Sequence, residues 1–368
     1  MTCSRPPTIR RALGPAPTNP TAMTRMPRRW DIFCKVIDNY GDAGVSWRLA
    51  RILAREHGLE VTLWIDSPAT LARIASAVTA TGTMSRAEGV TVRAWGDPWP
   101  SVPPADVVVE AFGCGLPDAY VEAMAQPTQT SSWFILEYLS AEAWVEAAHG
   151  LPSPHPRLAV PRRFWFPGFT PRTGGLLRER DLIARRDAFA ADRSAQHDLW
   201  AALGMPPTTP DVVRISLFCY PNPALPALLD AWAEGEQAIE CVVPEGVAAG
   251  ALDRWAGGAI PEPGGRPLTR GRLRIHRIPF VDQDAYDRLL WSCDVNFVRG
   301  EDSFVRAQWA AKPFVWHIYP QSDGAHLPKL GAFLARYGAG LDPLAAVAAD
   351  RMTRAWNGDP ASPGIVGA

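Results

Sequence analysis

The first candidate for chemistry is a pair of carboxylates, Asp38 and Asp42, in the segment DNYGDAG. This segment follows the apolar run WDIFCKVI and precedes VSWRLARILAREHG. A glycine loop between a strand and a helix offers backbone N–H groups to an anion, but two carboxylates would repel a phosphate. The loop is better suited to a cationic or hydroxyl-bearing acceptor, with one carboxylate as general base. Alternatively, Asp42 caps the helix and Asp38 forms an Asx-turn, and on spacing alone that interpretation is at least as strong.

A second polar cluster, RGEDSFVRAQ, begins at Arg299 and again stands between an apolar run and a helical pattern. Glu301, Asp302 and Ser303 lie where the helix begins. Free backbone N–H groups, the helix dipole and the Arg299 guanidinium together could hold a diphosphate, while a carboxylate accepts hydrogen bonds from sugar hydroxyls. A helix cap with local ion pairs is the weaker interpretation, because acidic and basic groups cluster at one strand-to-helix turn.

Aromatic and amide side chains form a third group of candidates. Phe218 and Tyr220 lie in SLFCYPN, and Gln283 and Tyr286 lie in PFVDQDAY. Aromatic faces can stack on a nucleotide base while an amide reads its edge. Taken singly, each aromatic residue is more typical of a core.

The elements that must position these residues alternate between strand and helix. The run from Trp30, the glycine loop, the amphipathic helix ended by Gly58 and the run EVTLWID form the opening unit of a doubly wound α/β domain. The strand pattern restarts at DVVRISLFCYPNP after a charged helical and Pro-rich stretch. Two α/β domains facing each other place their strand-end loops around a shared crevice, with one substrate in each domain.

The predicted domain boundaries follow from these patterns. Residues 28–180 are predicted as an N-terminal Rossmann-like acceptor-binding domain, and residues 211–344 as a C-terminal Rossmann-like nucleotide-sugar-binding domain, with a linker over 181–210. The tail 345–368 is expected to pack back on the first domain. Residues 1–27, rich in Pro, Thr and Arg, are predicted to be a disordered extension or a misassigned start.

Composition narrows the classes of function. A chain of 368 residues and 40.1 kDa exceeds the usual size of a single core, which favours two domains. The net charge of −1 lacks the basic surplus of a nucleic-acid binder. No apolar run approaches the roughly 18 residues of a membrane span, and the cysteines form no C-x-x-C pair. His317 and His326 lack metal-ligand spacing and are interpreted as satisfied histidines. We therefore expect a cytoplasmic protein that binds neither nucleic acid nor membrane.

Three strings together carry a family resemblance: WDIFCKVIDNYGDAGVSWRLA, FPGFTPRTGGLL and LLWSCDVNFVRGEDSFVRAQWAAKPFVWHIYPQ. They resemble the bacterial elongation factor P maturation arginine rhamnosyltransferases, the EarP family, from about Trp30 to Tyr337. The resemblance implies a GT-B fold, with two Rossmann-like domains facing across a cleft. It implies dTDP-β-L-rhamnose as donor and one arginine of translation elongation factor P as acceptor, whose modification activates the factor for rescue of polyproline-stalled ribosomes. No cofactor and no metal are expected.

The resemblance also implies the catalytic residues. Asp42 would be the general base or arginine-activating carboxylate, Asp38 its essential companion, and Glu301 the critical acid on the donor side. This suits the chemistry, because a guanidinium is charged near neutrality and a poor nucleophile, so carboxylates must orient it and take a proton. Direct displacement at the anomeric carbon predicts inversion.

Donor binding is implied for a set of residues in the second domain: Phe218, Tyr220, Gln283, Tyr286, Arg299, Asp302 and Ser303. Phe218 and Tyr220 would flank the thymine, with Gln283 at its edge. The last three would contact the diphosphate and sugar region. Tyr286 stands where relatives are expected to have Phe, which weakens its stacking role.

Two other classes of function remain open at the level of sequence. One is a different nucleotide-sugar-dependent enzyme, such as a transferase acting on another acceptor or a sugar-nucleotide epimerase. The other is a non-catalytic protein that binds nucleotide sugars, in which Asp42 would be structural only. The acidic loop facing the proposed donor site disfavours the non-catalytic protein.

Overall fold

Two sheets, each built mostly of parallel strands with helices packed against them, organise this chain. The computed structural model describes residues 29–365 except residues 39, 97, 156, 157 and 159, so the predicted extension over residues 1–27 lies outside it. The α/β class predicted from the alternating pattern is confirmed. Over the described residues, no helix is both long and apolar enough to cross a bilayer.

The first sheet contains the predicted opening unit. Its strands are β1 (Arg29–Cys34), β2 (Glu60–Ile65), β3 (Met84–Ala87), β4 (Val90–Ala94), β5 (Val107–Ala111), β6 (Ser132–Leu136) and β7 (Arg162–Trp165), and its helices are α1 (Tyr40–His57), α2 (Pro68–Ile74), α3 (Asp118–Met124) and α4 (Trp144–Ala148). The strand order is β3-β4-β2-β1-β5-β6-β7, and only β3 and β4 pair antiparallel. The central strands are apolar runs because cores lie on both faces of the sheet.

Helix α1 is buried on two sides. Trp47 and Ala50 pack with Ile32 and Leu63 of the first sheet. Residues 42–48 are all buried, so the side of the first turns that faces away from the first sheet is covered too. The second domain covers that side. The helix ends before Gly58, whose φ of +63° lies in the left-handed region that favours glycine.

The segment 181–210, predicted as a linker, contains two packed helices, α5 (Leu182–Ala191) and α6 (Arg193–Ala202). Leu199 and Trp200 are buried together with Ile278 and Leu289 of the second domain. The segment is therefore attached to the second domain, because α6 shares that domain's core.

The second sheet has the strands β8 (Val212–Leu217), β9 (Ala238–Pro244), β10 (Leu268–Arg270), β11 (Leu273–Ile278), β12 (Val295–Arg299) and β13 (Phe314–His317). Its helices are α7 (Leu225–Glu234), α8 (Ala249–Ala256), α9 (Gln283–Ser292), α10 (Asp302–Ala310) and α11 (His326–Gly338). The strand order is β10-β11-β9-β8-β12-β13, and only β10 and β11 pair antiparallel. The loops that follow β8 and β12 face the loops that follow β1 and β6, which sets the position of the site.

The tail overturns the expectation that residues 345–368 pack on the first domain. Helix α12 (Pro343–Trp356) lies against β13 and α11, and Trp356 is buried in the core of the second domain. The Asn222 amide donates to the Trp356 carbonyl at 2.7 Å, and the Ile318 N–H donates to the Asn357 side chain at 3.0 Å. The physical reason is that the large apolar ring of Trp356 finds its buried partners on the second sheet.

We expect Trp356→Ala to lower the free energy of unfolding by about 3 kcal/mol, because it leaves a cavity in the second core. Leu344 lies on the same helix but is 82% exposed, so Leu344→Ala should change that free energy by less than about 0.5 kcal/mol. Urea unfolding followed by circular dichroism measures both. Equal effects of the two substitutions would contradict this placement of the tail.

Candidate active site

The candidate residues of the two domains meet where the first turns of α1 and α10 face each other. A Cβ atom on Gly44 would stand 2.9 Å from the Cβ of Asp302, and one on Gly41 would stand 3.5 Å from the backbone nitrogen of Glu301. At Gly44 only glycine permits this approach, since a side chain would push the helices apart. The acidic loop after β1 and the cluster after β12 therefore share one crevice.

Asp42 is wholly buried and holds the acidic loop in shape. Its Oδ2 accepts the backbone N–H groups of Ile37 and Asp38, both at 2.9 Å. Its Oδ1 accepts the hydroxyl of Tyr138 at 3.0 Å, and Tyr138 lines the neighbouring cavity. Asp42 therefore has a structural role, although it lies inside α1 and binds the loop before the helix, where the sequence had left open a helix cap. Tyr138 stands between its second oxygen and the cavity.

Asp38 is the carboxylate that the second domain holds. The Tyr220 hydroxyl, which follows β8, donates to the Asp38 Oδ2 at 2.5 Å. Gly300, with φ of +63°, leaves room for this carboxylate, because a Cβ there would overlap Oδ2. The orientation of Asp38 therefore depends on contact between the domains.

Glu301 belongs to the second domain, and its carboxylate is held by the first. The backbone N–H of Leu139, which follows β6, donates to the Glu301 Oε1. Lys329 of α11 approaches the same place, with its ammonium 5.4 Å from the centre of the Tyr138 ring. Each domain thus orients the acid that the other contributes.

Burial raises the pKa of both carboxyl groups that face the crevice. For Asp38, desolvation raises the pKa, whereas the Tyr220 hydrogen bond and the charge of Arg299 lower it. For Glu301, desolvation raises the pKa and the charge of Lys329 opposes it. The ionisation of both groups is therefore displaced toward neutral pH, which brings their charge state closer to the range in which an enzyme works.

A cavity of about 230 Å³ adjoins these carboxylates. Asp38, Glu301 and Tyr138 line it, together with Ile37 and Tyr319, which are 65% and 43% exposed. The cavity therefore reaches the protein surface. Carboxylates beside aromatic rings suit a planar cation such as a guanidinium.

A smaller pocket, of about 50 Å³, contains most of the predicted donor-binding residues, namely Phe218, Gln283, Tyr286, Arg299, Asp302 and Ser303. The Gln283 Oε1 atom is buried and has no hydrogen-bond partner within the described part of the chain. A buried acceptor of this kind is costly, and a base edge that carries an N–H would satisfy it. Small-molecule sites usually measure roughly 300 Å³ or more, so the pocket in this arrangement is too small to hold a nucleotide.

Arg299 lies between the two rings predicted to flank the base. Its guanidinium carbon is 4.7 Å from the ring centre of Phe218 and 4.6 Å from that of Tyr220. Among the described residues it forms no ion pair with a carboxylate. A base can enter between these rings only if the guanidinium moves, and Tyr220 does not line the 50 Å³ pocket. The predicted flanking role of Tyr220 stays a prediction, and its observed contact is with Asp38.

A third cavity, of about 410 Å³, lies between the first sheet and residues 167–178. Chiefly apolar side chains line it, including Trp30 and Phe134, and its Arg48 guanidinium is already bonded to carboxylates. Arg178 lines it too, but so do three acidic side chains, Glu137, Glu301 and Asp302, so the lining has more carboxyl groups than guanidinium groups and does not suit a diphosphate. The smaller pocket therefore remains the donor candidate in spite of its volume.

Asp302 lies at the predicted place but makes unpredicted contacts. Its carboxylate accepts from the Arg48 Nε at 2.8 Å and from the Gln283 amide at 2.9 Å.

Three residues at the site were not predicted: Arg48, Tyr138 and Lys329. Tyr138 follows a strand of a parallel sheet, a position where ligand-binding residues collect, so that rule could have found it. Arg48 and Lys329 lie within helices and carried no such signal.

His317 departs from the interpretation as a satisfied histidine. It is buried, and its Nδ1 has no hydrogen-bond partner within the described residues. Burial lowers its pKa to about 3, so the ring is neutral. Its ring centre lies 5.2 Å from that of Tyr220, at the back of the site.

The described residues contain no group of three or more His, Cys, Asp or Glu side chains arranged to hold a metal ion.

Comparison with known proteins decides the family. The family model for the elongation factor P (EF-P) rhamnosyltransferase EarP matches residues 30–364. This chain belongs to the EarP family. Among EarP-family relatives, the protein-arginine rhamnosyltransferase of Pseudomonas putida is 51% identical over 334 residues, which cover 91% of this chain and 88% of the relative. That of Pseudomonas aeruginosa is 48% identical over 339 residues, which cover 92% and 89%.

An EarP structure is also similar. It is described as the structural basis for EarP-mediated arginine glycosylation of translation elongation factor EF-P, and it matches with a TM-score of 0.61 at 40% identity, covering 90% of this chain and 84% of that one. The family and the GT-B fold implied by the resemblance are confirmed, and the chain is a glycosyltransferase.

In this EarP-family enzyme we expect Tyr220→Phe to move the acid limb of the kcat/KM profile to higher pH. The hydroxyl lowers the pKa of Asp38. Without it the carboxyl keeps its proton up to a higher pH, so a smaller fraction of Asp38 carries its negative charge at a given acidic pH. Initial rates of transfer measured across pH test this. Tyr337 packs with Phe314 and Phe333, away from the crevice, and Tyr337→Phe should leave the limb in place. If the limb does not move in Tyr220→Phe, ionisation of Asp38 does not limit the reaction.

Proposed function

We propose that this enzyme transfers L-rhamnose from dTDP-β-L-rhamnose to an arginine of translation elongation factor P, with inversion at the anomeric carbon. The observation that carries the proposal is the crevice in which the carboxyl groups of Asp38, Asp42 and Glu301 from the two facing domains meet. Beside it lies the pocket in which the buried Oε1 of Gln283 has no hydrogen-bond partner among the described residues. The names of the EarP-family relatives and of the similar structure support the sugar and the acceptor. The modification would activate the factor for polyproline-stalled ribosomes, and the reaction would take place in the cytoplasm.

The donor is assigned to the pocket of the second domain. Gln283 Oε1 is an acceptor, and it suits the N3–H of thymine. Phe218 and Tyr286, whose ring centres lie 5.6 Å apart, offer apolar faces to the base. The Arg299 guanidinium and the N-terminus of α10 suit the diphosphate. These charges would stabilise the departing dTDP, and the proposal includes no metal and no cofactor.

The acceptor is assigned to the cavity of about 230 Å³. There the guanidinium would replace the Tyr138 hydroxyl on the Asp42 Oδ1, while Asp38 and Glu301 fix its orientation. As a guanidinium nitrogen forms its bond to the anomeric carbon, the bond from that carbon to the phosphate oxygen breaks and its electron pair leaves with dTDP. Asp42 takes the nitrogen's proton. Attack opposite the leaving group converts the β donor into an α-rhamnosyl product.

The test is incubation of the chain with dTDP-β-L-rhamnose and elongation factor P, followed by intact and fragment mass spectrometry. We expect one deoxyhexose on an arginine. Asp42→Asn should slow transfer by at least about a hundredfold, the usual contribution of a general base, while dTDP still binds. Asp66 also holds this loop, accepting the Val36 N–H at 2.9 Å, but it lines none of the three cavities described. Asp66→Asn is therefore the matched control and should keep most of the activity.

The outcomes separate two questions. If no deoxyhexose appears on an arginine, the proposed reaction is wrong. If Asp42→Asn and Asp66→Asn lose activity to the same extent, the effect of Asp42 is structural, and another group must accept the proton.

A further inference from the structure

Asp302 connects the nucleotide pocket to a buried cluster of charges between the domains. The cluster contains Arg48 of α1, which is 1% exposed. The Arg48 guanidinium donates to Asp302 at 2.8 Å, to Asp287 at 2.9 Å and to Glu179 at 3.3 Å. A buried cation requires such compensation by charge and hydrogen bonds. Arg48 of the first domain thus holds the Asp302 carboxylate at the N-terminus of α10 in the second domain.

The Gln283 amide is held in one orientation by its neighbours. Its Nε2 donates to the Asp302 Oδ2 at 2.9 Å and to the Gly44 carbonyl at 3.1 Å. Since a carboxylate and a carbonyl are both acceptors, the NH₂ group must face them and Oε1 must face away. The unpartnered Oε1 belongs to a residue that lines the 50 Å³ pocket. The amide therefore offers the pocket an acceptor and no donor.

An acceptor at this place distinguishes bases by their chemistry. Thymine and uracil carry an N3–H, which Oε1 can accept. Cytosine carries a lone pair at N3, so two acceptors would face each other without a proton. Buried polar mismatches of this kind discriminate by about tenfold or more. An amide turned by 180° would reverse the preference.

We propose that Arg48 is a specificity-determining positioning residue: it holds Asp302 across the domain interface and so fixes the Gln283 amide to accept thymine and uracil nucleotides and to reject cytosine nucleotides. The inference rests on the proposed function in taking this pocket as the nucleotide site. Arg48 acts through Asp302 and does not itself line that pocket. Because the Gly44 carbonyl also belongs to α1, the amide is fully held only when the domains are closed.

Loss of Arg48 would release the amide for a physical reason. The Arg48 Nε donates to the Asp302 Oδ1, while the Gln283 Nε2 donates to the Oδ2 of the same carboxylate. Without Arg48, no other described residue donates to that Oδ1, so the carboxylate can rotate away from the amide. Gln283 then keeps only the Gly44 carbonyl as a partner, and its side chain can leave the orientation that presents Oε1 to the pocket.

Arg306 provides a matched control. It is also buried, and it donates to Asp287 at 2.9 Å and to Glu179 at 2.7 Å. Within the described residues it makes no hydrogen bond to Asp302. Its substitution removes ion pairs comparable to those of Arg48 while leaving the hydrogen bonds of Gln283 in place.

The test compares the dissociation constants of dTDP and dCDP for the full chain by isothermal titration calorimetry. The unsubstituted enzyme should bind dTDP at least about tenfold more tightly than dCDP. Arg48→Met should reduce this ratio to near one. Arg306→Met should keep it, even where it lowers the melting temperature. Arg48→Lys retains the charge but cannot bridge two carboxylates with a planar fork. It should also reduce the ratio, and it replaces the Met variant if that variant does not fold.

An unchanged ratio in the folded Arg48 variants overturns the inference, and so does an equal reduction in Arg306→Met. An unsubstituted enzyme that does not prefer dTDP to dCDP overturns it as well. The proposed reaction is judged separately. A clear dTDP preference together with an unmodified elongation factor P would reject rhamnosyl transfer and leave the role of Arg48 intact.

Discussion

A guanidinium that is removed from water must be surrounded by hydrogen-bond acceptors, and this requirement at Arg48 joins the two halves of the enzyme. Its partners Asp287 and Asp302 come from the second domain, and Glu179 comes from the end of the first, just before α5. Arg306 shares two of these carboxylates and brings the local charge closer to balance. Separating α1 from this cluster without water would cost several kcal/mol, so opening must also hydrate it. The close approach of α1 and α10 at Gly44 depends on this cluster.

The reciprocal arrangement of the site follows from that approach. The second domain orients Asp38 through Tyr220, and the first domain orients Glu301 through the Leu139 N–H. Neither domain alone holds its acid in the geometry described. This arrangement leaves a volume of only about 50 Å³ in the smaller pocket between the domains. The contacts that complete the site also narrow the pocket proposed for the nucleotide.

Local signals in the sequence were sufficient for the opening unit of the first domain and for the start of the second. Apolar runs, glycine stops and charged first turns act over a few residues, and they placed Asp38 and Glu301 at strand ends before helices. The fate of the tail could not be read in this way, because Trp356 has the same appearance whichever sheet covers it. Arg48 was hidden for a similar reason. In VSWRLARILAREH it occupies an ordinary charged position of an amphipathic helix, and only the second domain makes that position buried. The identities of sugar and acceptor came from the family resemblance, since no residue pattern specifies them.

Burial also separates the interdomain cluster from the solution. Arg55 also belongs to α1, but it is 59% exposed and pairs with Glu88, which lies in the turn between β3 and β4. At this surface, dissolved ions screen charges over about 8 Å at physiological salt. Such ions cannot approach Arg48. While the two domains are in contact, the Arg48 ion pairs are therefore screened less than pairs at exposed charges, which weaken as salt rises. The contact of Arg48 with the second domain is in this way set by the composition of the protein interior more than by that of the surrounding electrolyte.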